Sequence, residues 1–160
     1  MDPITEHASA IGSLAMNFSA LELVVRICIR DLLSADPKLG DIAAAPLSFR
    51  VSLDVLSALF DHRIVDDDAK GRLRGIVKRA HEIEEERNKI MHSAWVCDNP
   101  DGGPLHRLRI KLRQNGLTYD MPPIGAEAVR NSARAAVQLL REFAEHVMPL
   151  AEASWPKAQA

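Results

Sequence analysis

The sequence predicts an all-α domain, a four-helix up-down bundle with a β-hairpin inserted between the third and fourth helices. Three observations lead there. Apolar residues recur at three-four spacing in four separate stretches. Proline and aspartate punctuate the joins between those stretches. Before the last one the spacing switches to period two around an Asn-Gly pair, a strong short-range hairpin signal.

Asp2-Pro3 places a capping residue before a proline, which suits a helix start. Ile11, Leu14, Phe18, Leu21, Val25, Cys28 and Leu32 then mark a first helix, about thirty residues long, that stops before Pro37. Phe49, Leu53, Leu56 and Phe60 mark a shorter second helix. Asp66, Asp67 and Asp68 cap a third helix and complement its dipole. Leu73, Ile76, Val77, Ala80, Ile83, Ile90 and Met91 carry it on. A loop, "DNPDGGP", follows from Asp98 to Pro104.

The alternating run comes next. A two-residue turn at Asn115-Gly116 pairs Leu112 with Tyr119 and Ile110 with Met121 on one face. The other face carries Arg107, Arg109, Lys111 and Arg113. Ala126, Val129, Ala133, Ala136, Leu140, Phe143 and Val147 form the fourth helix, ended by Pro149. One domain therefore covers residues 1–152, with its hairpin insertion at about 95–123 and a flexible tail at 153–160.

With 160 residues, 47% of them hydrophobic, the chain can bury a real core. Aromatics make up 4%, so Leu, Ile, Val and Ala must fill it. A net charge of -2 gives no global attraction to nucleic acid or anionic membrane. Cys28 and Cys97 form no C-x-x-C pair, which argues against a zinc knuckle or a redox pair, and Cys28 reads as a small core residue. The N-terminus lacks the pattern of a signal peptide. "LELVVRICIRDLL" holds Glu22, Arg26, Arg30 and Asp31, too many charges for a membrane span. A reduced cytoplasmic protein without membrane contact is expected.

On the third helix the expected buried stripe runs Ala80, Ile83, Arg87, Ile90, Ala94, and Arg87 interrupts it. A buried guanidinium needs a partner. Glu22, equally out of place near the apolar face of the first helix, is the expected one, as a supporting contact between helices one and three. Asn88 and His92 are four apart and share a face, whereas Arg87 and His92 lie about 140° apart. A purely structural reading makes Arg87–Glu22 an ion pair, Asn88 a polar neighbour, and His92 a helix-end residue favoured by the dipole.

"RNKIMH", Arg87 to His92, resembles the signature of the HEPN superfamily, an arginine and a histidine separated by four to six residues late in a long helix. In that family a polar residue, often Asn, follows the arginine, as Asn88 does here. The resemblance implies a small helical domain, a homodimer that joins two motifs in one cleft, and a metal-independent endoribonuclease of the toxin or defence type. It makes Arg87, Asn88 and His92 the catalytic candidates, implies no cofactor, and in the toxin version implies an antitoxin protein as a further partner. A non-catalytic HEPN-like dimer acting as a binding or regulatory module would carry the same residues.

The residue types suit the chemistry. RNA is cut without metal when its 2′-hydroxyl attacks the adjacent phosphorus, which requires a base, an acid and a cation. Histidine serves as acid or base near neutrality. Arginine grips phosphate oxygens in two-point contact and keeps its charge. Asn88 can orient phosphate or imidazole. One imidazole cannot do both proton transfers at once, so two-fold pairing supplies the second. Arg107, Arg109, Lys111 and Arg113 fit an RNA-backbone track, although such a face is also an ordinary solvated one.

Other classes find less support. "REFAEH", Arg141 to His146, repeats the spacing, but Glu142 follows its arginine. No histidine has Glu three residues before it, as a di-iron bundle requires. "HEIEEE", His81 to Glu86, sits on one helix and reads as a solvated face around Ile83, so no metal site is expected.

Overall fold

The fold is described from a computed structural model covering residues 3–34, 36–97, 105–113, 116–120, 122 and 124–155. Among these the order is α1 (Pro3–Leu33), α2 (Pro37–Ala44), α3 (Phe49–Arg63), α4 (Asp67–Met91), β1 (Ala94–Cys97), β2 (Leu105–Arg113), β3 (Gly116–Asp120), α5 (Ala126–His146) and α6 (Met148–Ala153). The four long helices α1, α3, α4 and α5 are the four the sequence predicts. They pack as a bundle, with a small antiparallel sheet inserted between α4 and α5.

Capping decides where these helices begin. Asp66 Oδ1 accepts hydrogen bonds from the amides of Asp68 (2.9 Å) and Ala69 (3.1 Å). Ser48 caps α3 through the amide of Val51, and Asp36 caps α2 through that of Lys38, with Pro37 in the first turn. Helix α2 crosses α1 closely at Gly40. A Cβ there would lie 2.8 Å from the Arg30 carbonyl oxygen, so only glycine fits.

Helix α1 is the spine of the bundle. Phe18, Leu21, Val25, Cys28, Ile29 and Leu32 enter a core shared with Leu53, Leu56 and Phe60 of α3, Leu73, Ile76 and Ala80 of α4, and Ala136, Leu139 and Phe143 of α5. Burial pushes the Cys28 thiol up to about 12, as expected of a packed, inert cysteine. A smaller cluster at the other end gathers Ala10, Leu14, Ile90, Ala126, Val129 and Ala133. By length and composition α1 is long and apolar enough to cross a membrane. One face of it enters the bundle core, and 28% of that apolar window is buried.

Several expectations need correction. The fourth helix buries Leu139 rather than Leu140, and the chain continues past Pro149 as α6, since Pro149 sits where a first turn tolerates it. Ser154 and Trp155 do not begin a free tail. The Arg63 guanidinium stacks 3.9 Å from the Trp155 ring centre, and residues 156–160 lie outside the described residues. Ala94 belongs to β1, not to the helix, and β1 makes the hairpin a three-stranded sheet of order β1-β2-β3.

The hairpin register is offset by two. Leu112 faces Leu117 and Ile110 faces Tyr119, closing at Arg113 opposite Gly116. Gly116, at φ +114°, opens β3 instead of completing the turn. Asn115 and Met121, which also entered the expected register, lie outside the described residues.

Two polar ties hold the helices in place. His7, buried on α1, sets Nδ1 2.9 Å from the Pro3 carbonyl and Nε2 2.8 Å from the Ile124 carbonyl just before α5. Arg79 on α4 grips both carboxylate oxygens of Glu142 on α5. His7→Ala removes both contacts and is expected to cost about 1–3 kcal/mol in denaturant unfolding. The Arg79 guanidinium holds the Glu142 carboxyl below its ordinary value of 4.5. The pair therefore stabilises fully above the unfolded carboxylate's pKa, and its contribution is lost as pH falls through the lower folded value. Glu142→Gln should flatten the dependence of Tm on pH below about 4.5, with a loss of roughly 0.5–1 kcal/mol at neutrality, because Arg79 is half-exposed.

Candidate active site at the end of helix α4

Helix α4 ends at Met91, and His92 is its C-terminal cap, with φ −103° and ψ 16°. The His92 amide donates to the Asn88 carbonyl at 3.1 Å, closing the last turn. Ser93 Oγ donates to the Lys89 carbonyl at 2.5 Å, and the Trp95 indole donates to the Ile90 carbonyl at 3.3 Å. These side-chain donors satisfy carbonyls that the ending helix leaves without partners. They also fold the chain directly into β1. His92 is exposed at the junction.

Two shallow cavities meet at His92. One, of about 300 Å³, is lined by Glu85, Asn88, Lys89, His92 and Ser93. The other, of about 410 Å³, is lined by His92, Ala94, Leu108 and Ile110. Asn88 and His92 thus share a site, as their spacing predicts. Glu85 and Lys89 lie on the same face of α4, at positions a helical wheel also gives. The part played by Ser93 depends on the helix stopping where it does. Lys89 is held by Glu86 at 2.7 Å.

Arg87 lines neither cavity. It is half-buried, its guanidinium carbon lies 5.0 Å from the centre of the Phe18 ring, and its Nε has no hydrogen-bond partner. Its Nη1 donates to Asn88 Oδ1 at 2.9 Å. Asn88 therefore links the arginine to the histidine's cavity, and the angular separation of Arg87 from His92 is bridged by an amide. No ion pair joins Glu22 to Arg87, and half-buried Glu22 makes none among the described residues. The expectation fails because Arg87 is only half-buried and rests on an aromatic face, so its charge keeps solvent and π contact.

The expected basic track is also revised. Arg107 is 8% exposed, opposite Trp95 on the face of the sheet that packs against the helices, and its Nε has no partner among the described residues. Leu105 beside it is buried and Trp95 packs on the Ala10–Ile90 cluster, which draws that face inward. The backbones of Arg109, Lys111 and Arg113 run in β2, and their side chains lie outside the described residues. In the second Arg/His match, Glu142 is committed to Arg79, and Arg141 and His146 are exposed on α5.

No cluster of metal ligands occurs among the described residues. In the acidic run His81 to Glu86, Glu84 and Glu85 share Arg50 of α3, at 3.5 and 3.6 Å. No family model matches the chain, and it has no significant match among curated proteins or solved structures.

With no ion pair between Glu22 and Arg87, Glu22→Gln should change stability by less than about 0.5 kcal/mol. Arg87→Met keeps an aliphatic stem on Phe18 and should cost less than about 1 kcal/mol. Chemical denaturation checks both. A loss of several kcal/mol in the Glu22 variant would show that the pair forms in solution.

Proposed function

We propose that this protein is a metal-independent endoribonuclease of HEPN type, acting on RNA as a cytoplasmic toxin or defence nuclease. The observation that supports this reading most is the link among the motif residues. Asn88 and His92 line one open cavity, and Arg87 is hydrogen-bonded to Asn88. A phosphate at His92 would meet an imidazole, an amide and, through a modest swing off Phe18, a guanidinium.

The reaction assigned to this site uses the substrate's own nucleophile. A base removes the proton of the 2′-hydroxyl, the oxygen attacks phosphorus, and the 5′-oxygen leaves with a proton from an acid. The products are a 2′,3′-cyclic phosphate and a free 5′-hydroxyl. Each chain brings one motif imidazole, so a homodimer supplies one His92 as base and the other as acid. Arg87 would offset charge gathering on the phosphoryl oxygens, and Asn88 would hold the phosphate or imidazole in line. An antitoxin protein would be a further partner in the toxin version.

A second reading, a non-catalytic dimeric binding or regulatory module, draws on two features of the same site. Arg87 rests on Phe18, and His92 serves the helix end as a cap. RNA cleavage separates the readings. Wild type is expected to cut RNA in chelator, leave cyclic phosphate ends and spare DNA, which lacks the nucleophile. His92→Ala should lose about 10²–10⁴-fold or more, since one substitution removes both proton-transfer groups of the dimer. His146→Ala should cut normally. A wild type that binds RNA without cutting it would establish the module instead.

A further inference from the structure

Helix α5 carries three arginines in one stripe. Arg130, Arg134 and Arg141 fall within about 40° of one another and span about 16 Å of its length. All three line a groove of about 700 Å³ between α5 and α1. Helix α1 adds Ser13 and Asn17 to the lining, and α5 adds Gln138. Ala133 and Val137 supply apolar wall, and no carboxylate lines the groove among the described residues.

Two of the arginines are held in place. Arg130 donates through Nε to Glu127 at 2.7 Å and through Nη2 to Glu6 of α1 at 2.9 Å. Arg134 donates through Nη2 to the other Glu127 oxygen and through Nη1 to Asn131, both at 2.6 Å. Asn17 reaches across the seam and donates to the Ala133 carbonyl at 3.4 Å. Exposed ion pairs of this kind add little stability. Their effect is to fix two guanidiniums at the groove, each with more N–H donors than these bonds engage. Arg141 makes no ion pair among the described residues. With Glu6 and Glu127 counted against the three arginines, the groove keeps a positive excess, although the whole chain carries -2.

We propose that this groove binds a single strand of nucleic acid by its phosphate backbone. The donor set suits that ligand. Arginine, serine, asparagine and glutamine all contact phosphate oxygens, and the groove presents each of them with no acceptor-only group beside it. The stripe is too long for one phosphate and matches an anion whose charge repeats along a chain. Helices packed about 8–10 Å apart leave a channel for one strand and not for a duplex. Contacts of this type read neither base nor sugar, so RNA and DNA strands should bind alike. The groove shares no lining residue with the His92 cavities and does not depend on the nuclease reading.

Fluorescence anisotropy with a labelled single-stranded oligodeoxythymidylate tests the site, because the nuclease reading leaves DNA uncut. Wild type should bind with Kd of about 10⁻⁴–10⁻⁶ M at physiological salt. The slope of log K against log salt should be about −2, at roughly 0.7 per contacted phosphate. Arg141→Gln has no ion pair to lose, so it should fold normally, weaken binding and reduce that slope by about 0.7. Arg130→Gln/Arg134→Gln/Arg141→Gln should abolish binding, with helical circular dichroism checking the fold. Arg72→Gln/Arg74→Gln removes two exposed arginines of α4, 52% and 63% exposed, and should bind as wild type does.

No binding up to about 10⁻³ M would overturn the proposal. Binding that the groove substitutions leave unchanged would place the strand elsewhere, the hairpin included, and would also overturn it. So would displacement of the strand by an equal concentration of tripolyphosphate, which would mark a compact anion site. A wild type that binds DNA through the groove, but cuts no RNA, would sustain the site and defeat the nuclease reading alone.

Discussion

The stop at Met91 is the constraint on which both the site and the sheet depend. A helix that ends leaves carbonyls without partners, and here the next residues supply donors at once. The His92 amide takes the Asn88 carbonyl, Ser93 Oγ takes that of Lys89, and the Trp95 indole takes that of Ile90. Those three bonds turn the chain sharply into β1. They fix His92 exposed at the junction, with Asn88 one turn behind it. The same turn lays Trp95 against the core and so decides which face of the sheet points inward. Had α4 run on by another turn, His92 would lie on a helix flank and the sheet would lose its first strand.

The inward face explains why Arg107, one of the four residues of the basic hairpin pattern, is buried. Alternation in the sequence assigns Arg107 to one side and the apolar residues to the other, and the assignment of sides is right. Which side meets the bundle is a tertiary matter, decided by Trp95 and Leu105 near the start of the sheet. Once they are packed, strand geometry carries Arg107 inward and Ile110, Leu112, Leu117 and Tyr119 outward. Periodicity within the hairpin contains no information about β1, which is too short to show a period of its own.

The helices were legible for the opposite reason. Each of the four long ones carries its apolar stripe over several turns and begins at a recognisable cap or proline, so local and global preferences agree. Helix α2 was hidden because eight residues give little periodicity. Its signal was chemical instead, in the Asp36-Pro37 start. Of the candidate site, Asn88 and His92 were legible from spacing, and the cavity they share follows from it. The partner of Arg87 was not. Reading an arginine in an apolar stripe as a buried charge presumes full burial, and an aromatic ring at the same depth, Phe18, offers a different solution.

Arg87 and Arg107 share an unusual condition that bears on how the site could act. Among the described residues both have a buried Nε without a hydrogen-bond partner, and Arg87 donates a side-chain hydrogen bond to an amide rather than a carboxylate. A carboxylate partner would neutralise Arg87 and hold it firmly, at a large penalty for release. An amide and a ring face leave the charge uncompensated and cheap to redirect. Asn88, which lines the cavity, is the residue that Arg87 contacts, and among the described residues no ion pair ties Arg87 elsewhere. The absence of a Glu22 contact thus leaves Arg87 held by an amide and a ring face, without a carboxylate among the described residues.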